Sequence, residues 1–467
     1  MTVAVTFCGG ARTVTGSMHL VSTNLSNIVL DCGLFQGRRD EYYLVNSYFP
    51  FDPQGLDACV LSHAHIDHCG NLPTLIKRGF RSTIYCTPAT RDLCKYMLPD
   101  SGYVQEEDIK YVNKINKRRG LPARYPLYTK NEAEKAFKYF RTLDYHKPLP
   151  ITKDICLTFY EAGHILGSAI PVLDIKTGKK DIRVAYAVDL GRINMPLLRN
   201  PEVPSNIDYL FIESTYGGRL HEDMEKAEKI FADAINRTAK RGGKVIIPSF
   251  ALERTQLIVF FICDLMKRKV IKKMPVYVDG PLAVNVTKVF RSNWQYFDEM
   301  VQMAFKNQED PLGADNVTYI HSVNESRKIH EINRPCIIVS ASGMCENGRI
   351  LHHLKNNIEN PHNTVISIGF MAKDTLGRRI VDKSDSVRIF GRPYDLKAEV
   401  VVMNAFSSHA DRHGLMRYAL ECSERLKQVF IVHGEPEQSE TLRTALKKRL
   451  DIKISIPAKG DIVYLKS

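Results

Sequence analysis

Six consecutive residues, His63-Ala64-His65-Ile66-Asp67-His68, place three imidazoles and a carboxylate side by side. Imidazole nitrogen and carboxylate oxygen are the usual ligands of a hydrolytic zinc site. An open catalytic zinc takes about three protein ligands, so four in so short a run is too dense for one ion and reads more simply as two adjacent metals. A solvated His-rich loop is the ordinary alternative. It fits poorly, because the run follows the apolar stretch Ala58-Cys59-Val60-Leu61 and precedes Cys69-Gly70-Asn71-Leu72-Pro73, which reads as a helix entry. The cluster therefore stands where a buried strand ends.

Further acids and histidines end apolar runs in the same way. Asp31 closes Asn27-Ile28-Val29-Leu30 before Cys32-Gly33, and His164 sits in Glu161-Ala162-Gly163-His164. Asp189 closes Val184 to Val188, and Glu213 closes Tyr209 to Ile212. His409 follows Phe406-Ser407-Ser408, and His433 follows Gln428 to Val432. A charged group at the mouth of a buried strand is costly unless it is paired or bound to metal. Repetition at successive strand ends predicts a site assembled along one sheet edge. A turn cap is the competing account for Asp31. A helix cap or a buried structural histidine is the competing account for His409, and a strand-end carboxylate paired to a cation for Glu213.

The elements that must carry these residues follow from periodicity. The chain has 467 residues, more than one core keeps accommodating, so two or three domains are expected. Met1 to Phe7 already reads as a strand and lacks the charged start of a signal peptide. No apolar run approaches the ~20 residues that span a bilayer, which predicts a cytoplasmic protein without membrane contact. Eleven scattered cysteines include no Cys-X-X-Cys pair, so free thiols are expected. Residues 90 to 145 read as helical and rich in Lys and Arg, with Tyr103, Tyr111, Tyr125, Tyr128 and Tyr139 interleaved. A basic arm with aromatics could line a nucleic-acid groove, but a solvated helix face is the expectation there, because acidic residues are mixed in throughout. Between about residues 220 and 380, strands alternate with helices, the pattern of a parallel sheet flanked by helices. His352 and His353 read as surface residues of a helix. The net charge of +13 favours a polyanionic partner without choosing between RNA and DNA.

With these motifs in order, the chain resembles the metallo-β-lactamase superfamily and, within it, the β-CASP nucleases. The superfamily's motifs match Asp31, His63-X-His65-X-Asp67-His68, His164 and Asp189; the β-CASP motifs match Glu213, His409 and His433. The resemblance implies an α/β fold, with a metallo-β-lactamase αββα sandwich built from residues 1–217 and 399–467 and a β-CASP domain inserted as 218–398. It also implies two zinc ions, although manganese can take the same ligands. One would be held by His63, His65 and His164, the other by Asp67, His68 and His433, with Asp189 between them. Asp31 would orient a ligand from behind. Asp67, Glu213 and His409 would be catalytic, with metal-bridged hydroxide attacking a phosphodiester, His409 as general acid and Glu213 orienting it. Ser340, Ser342 and Gly343 resemble a small-residue loop that contacts substrate phosphate. A plain strand-to-helix turn is the alternative there.

Histidine at position 433 is similar to the RNA-processing branch rather than the DNA-repair branch, so single-stranded RNA is the expected partner. Endonucleolytic cleavage is the expected activity, with 5′-exonuclease action of the RNase J type as the rival. The stretch after His433 is expected to leave no room for that family's C-terminal domain. A small-molecule hydrolase of the same superfamily would lack the inserted domain, and a scaffold that has lost its ligands would not fill every ligand position. A homodimer is among the arrangements compatible with the sequence.

Overall fold

A computed structural model describes residues 2–178, 180–313, 315–369 and 371–467. Met1, the first residue of the expected opening strand, lies outside them. The chain divides into two compact units, Met1–Leu220 with Ser408–Ser467, and His221–Ser407.

The first unit contains two seven-stranded sheets. One runs in the order Ile462–Leu465, Val3–Gly9, Met18–Ser22, Asn27–Leu30, Ala58–Val60, Thr83–Cys86 and Phe140–Thr142. It is antiparallel up to Asn27–Leu30 and parallel beyond. The other runs Lys453–Ser455, Gln428–Ile431, Tyr209–Ile212, Ile182–Ala187, Ala169–Ile175, Ile155–Glu161 and Leu149–Pro150. Inward residues of both sheets form one core, with Val5, Phe7 and Ile28 from the first meeting Phe159, Phe211 and Phe430 from the second. Burying each such side chain contributes about 1.5–3 kcal/mol. The second sheet's other face packs Leu210 and Ile431 against helix residues Leu415, Tyr418 and Leu442. Helix Pro88–Arg118 buries Leu93, Cys94 and Leu98 along one stripe. This is the layered αββα arrangement.

The second unit is a six-stranded, wholly parallel sheet in the order Val317–Ile320, Val276–Asp279, Ile337–Ser340, Val245–Pro248, Thr364–Ile368 and Glu399–Met403. Three of its interior strands, Ile337–Ser340, Val245–Pro248 and Thr364–Ile368, are buried throughout, as a sheet covered on both faces requires. A hairpin of Ser386–Ile389 and Arg392–Asp395 packs Val387 and Ile389 into the same unit's core.

Two sequence readings are corrected by this pairing. The C-terminal segment expected from residue 399 does not begin there: Glu399–Met403 hydrogen-bonds in parallel register to Thr364–Ile368, and the first unit resumes only at Ser408. His353 is no surface residue; it is fully buried, and its Nε2 lies 2.7 Å from Asp279 Oδ2.

Candidate metal centre

The strand Ala58–Val60 delivers the loop of His63, and a single helical turn, Ile66–Cys69, turns Asp67 and His68 back towards it. That loop lies so close to the turn after Asn27–Leu30 that a side chain at Gly33 would meet Asp67 O at 1.6 Å. Asp31, Asp189 and His433 each follow a strand of the first unit with positive φ, 57°, 60° and 45°. Non-glycine residues are held in this region only where surrounding contacts over-determine them, and they concentrate at functional sites. His409 arrives by a different route. Ala410 N donates to Leu190 O, and Arg192 N to Ser408 O, so residues 408–410 lie alongside the loop that follows Asp189.

The predicted ligands converge. His63, His65, His164 and Asp189 each offer an atom within 4.8 Å of the others, as do Asp67, His68 and His433. Asp189 stands between the two sets: Oδ2 lies 3.3 Å from His63 Nε2 and 3.4 Å from His164 Nε2, while Oδ1 lies 3.2 Å from His433 Nε2. His68 Nε2 is 3.5 Å from Asp189 Oδ2 and 4.0 Å from Asp67 Oδ2. His65 presents Nδ1, 3.1 Å from His63 Nε2 and 3.2 Å from His164 Nε2.

Behind them, Asp31 accepts from Ser62 N and Ser62 Oγ at 2.7 and 2.8 Å, and its Oδ2 lies 2.7 Å from His68 Nδ1. Ser62, which the sequence does not single out, also places its Oγ 3.0 Å from His63 Nδ1. Nothing but its position, directly before His63, signals it. Ser168 is equally inconspicuous in the sequence; its Oγ accepts from His164 N and Ile165 N. His409 Nδ1 faces Glu213, whose Oε1 also accepts from Leu190 N at 2.7 Å. Glu213, His409 and Asp189 form a third close group, and the His409 ring lies 4.4 Å from that of His164.

The electrostatics are those of a cation site. Burial drives His63, His68 and His164 well below the ordinary imidazole range and His433 down to about 4, so all four are neutral, the form that ligates metal. Burial pushes Asp67 up to about 6, Asp31 up to about 7 and Asp189 well above the usual carboxylate range. Among the described residues, His68 Nε2 and Asp189 Oδ1 are buried with no hydrogen-bond partner. Unpartnered buried nitrogen and oxygen in a His/Asp set fit divalent metal binding, since a cation offsets both the desolvated charge and the missing bonds. For His409, burial lowers the pKa but the Glu213 carboxylate outweighs it, and the net direction is upward.

The expected phosphate loop lies in the second unit and is corrected in part. Ser340 is 2 % exposed, and its hydroxyl donates to Asp279 O, so it is a fold contact. Ser342 Oγ accepts from Glu346 N, and Gly343 lies beneath the Phe250 ring, where a side chain would meet ring atoms at 2.9 Å.

Three family models match the chain: a metallo-beta-lactamase superfamily domain over residues 20–200, a Beta-Casp domain over 255–380, and a Zn-dependent metallo-hydrolase RNA specificity domain over 393–457. Ribonuclease TTHA0252 of Thermus thermophilus is 32% identical over 441 residues, covering 94% of this chain and 95% of that one. Transcription termination factor FttA of Methanosarcina mazei is 31% identical and covers 96% and 70%. An RNase J-like protein of Methanocaldococcus jannaschii is 31% identical and covers 99% of each. A crystal structure of a protein of unknown function from Enterococcus faecalis V583 aligns over 100% of both chains with TM-score 0.57 at 11% identity, a likeness of fold alone. No helix among the described residues is long and apolar enough to cross a membrane.

Proposed function

Because the chain belongs to the β-CASP family of metallo-β-lactamase-type hydrolases and is a metal-dependent hydrolase, we propose that it is a ribonuclease cutting single-stranded RNA internally. The carrying observation is the shared carboxylate, with Asp189 reaching His63 and His164 through one oxygen and His433 through the other. We assign one zinc to His63, His65 and His164 and a second to Asp67, His68 and His433, with Asp189 common to both. Metal ions bound by these residues would supply a water of near-neutral pKa and would draw charge from phosphodiester oxygens.

The chain's own residues supply the rest. With His409 Nδ1 held by Glu213, its Nε2 is the nitrogen we assign to carry a proton to the departing oxygen. Glu213, itself held by Leu190 N, fixes that ring. Asp31 accepts a hydrogen bond from His68 Nδ1–H, which sets the tautomer and turns the Nε2 lone pair towards Asp67 and Asp189. Asp67, with 23% of its side chain exposed, is the most open of these acids and faces the incoming substrate. Ser342 and Gly343, at the carboxyl end of a parallel sheet, are assigned to substrate phosphate.

RNA is preferred as substrate because an RNA specificity domain model matches residues 393–457 and a relative covered almost end to end is named a ribonuclease. The second reading is 5′-exonucleolytic action, favoured by the likeness to the RNase J-like protein. RNA labelled at its 3′ end separates the two. Internal cutting gives labelled fragments of many lengths at the first time points. Processive 5′ attack gives mononucleotides and full-length RNA, and that outcome would replace the first reading. Cleavage of a simple ester with all RNA left whole would remove both.

A further inference from the structure

The charge along helix Pro88–Arg118 is not evenly mixed. Glu106, Glu107 and Asp108 end the acidic part, and from Ile109 to Asn131 the chain carries seven Lys or Arg and no Asp or Glu. Lys110, Lys114, Lys117 and Arg118 repeat at three- and four-residue steps and so share one face with Tyr103 and Tyr111. Gln105 and Val112 are buried on the opposite side. Tyr103, Tyr111 and Tyr125 are 53%, 59% and 73% exposed, a state in which soluble proteins seldom leave so many aromatic rings together.

This end of the helix is a built structure. After Arg119 the chain doubles back, and Asn113 pins the return by accepting from Arg124 N at 2.8 Å and donating to Arg124 O at 2.9 Å. Asn116 donates from its side chain to Pro122 O and accepts Leu121 N on its backbone carbonyl. Tyr125 is thereby held beside the cationic face. Lys110 pairs with Glu107, but Lys114, Lys117, Arg118 and Arg119 have no carboxylate partner among the described residues. The helix's other end is tied to the metal-centre loops, since Thr87 and Thr90 hydroxyls both donate to Gly167 O, three residues after His164. At 1.5 Å per residue the cationic end lies about 30–45 Å along the axis from that anchor.

We propose that the distal part of this helix and its return loop form a second RNA-binding surface, which grips single-stranded RNA at a distance from the bond being cut. Unpaired cations spaced along a face match a phosphate backbone, and exposed tyrosines give unpaired bases a surface to stack on, the two elements of sequence-tolerant single-strand binding. An acidic polypeptide would meet the charge but leave the tyrosines unused. The proposal rests on the reading of this chain as a ribonuclease.

The test compares wild type with a variant carrying Lys114→Gln, Lys117→Gln, Arg118→Gln and Arg119→Gln, and with Tyr111→Ala/Tyr125→Ala, by fluorescence anisotropy on single-stranded RNA of about 30 nucleotides, longer than the ~4–16 of one small binding fold. Chelator is present so that nothing is cut. The charge variant should bind at least about tenfold more weakly, and its log K against log salt slope should be shallower by about 0.7 for each phosphate it no longer neutralises. The tyrosine variant should lose affinity for single strands and keep it for duplex. Unchanged affinity and slope in a charge variant with wild-type circular dichroism would overturn the proposal. So would loss of binding to a polyglutamate peptide while RNA binding stays intact. If wild type neither binds nor cuts RNA, the ribonuclease reading itself falls; if it does both and the variants match it, only this surface falls.

Discussion

His409 Nδ1 lies 3.1 and 3.2 Å from the two carboxylate oxygens of Glu213, a residue with no exposed surface. A histidine clasped on one nitrogen presents the other in a fixed direction, which a general acid requires. Replacing His409 by Ala should therefore lower kcat by about 10²–10⁴-fold while leaving bound metal at the wild-type level. Metal analysis of the purified variant beside its rate decides this. Equal loss of metal and rate would make His409 a ligand.

Asp67 should behave differently. Its Oδ2 lies 3.8 Å from His433 Nε2 and 4.0 Å from His68 Nε2, within one of the two ligand sets. Asp67→Ala should lower both metal content and cleavage, and mass spectrometry under native conditions should record a species short of one ion. A variant holding the full complement would refute the assignment.

Asp31 reaches the site through His68 and Ser62. Asp31→Asn should keep the fold and weaken metal affinity by about 10–100-fold, the usual cost of removing a carboxylate behind a metal-bound imidazole. Competition against a chelator of known affinity measures it, and unchanged affinity would leave Asp31 a turn residue.

In the second unit, Glu253 is 4 % exposed, with φ 65° and ψ −61°, and Arg254 N donates to Leu252 O across it. Burial pushes its carboxyl up to about 8, and Oε2 has no hydrogen-bond partner among the described residues. The folded state thus keeps a proton that the unfolded chain releases above about pH 4.3. Stability should fall as pH rises from there towards 8, because unfolding then releases that proton. Glu253→Gln should flatten the curve and, at pH 8.5, raise the Tm by roughly 2–4 °C for each kcal/mol recovered. Parallel melting curves for the two proteins across this range would contradict it.

The ligand pattern is legible in the sequence because each acid or histidine closes an apolar run, which is a local property of the chain. Asp31, Asp189 and His433 give one further hint, glycine one or two residues later, without revealing the positive φ that aims them. Ser62 is invisible because a serine beside a strand end has many ordinary roles. His353 reads wrongly as exposed because a sequence shows that two histidines share a helix but not which of them meets Asp279. Glu399–Met403 falls to the wrong unit for a related reason: its apolar run predicts a strand, while the strand it joins lies far away in sequence. The cationic arm reads as mixed because the acids at its base fall in the same window as the cations at its end.

The most direct test of the central claim is the rate at which metal-stripped protein cuts end-labelled single-stranded RNA as zinc is returned in measured equivalents. Cleavage should be absent without metal, and the rate should climb to a plateau at two ions per chain. Undiminished cutting by the stripped protein, or intact RNA at full zinc occupancy, would contradict the claim.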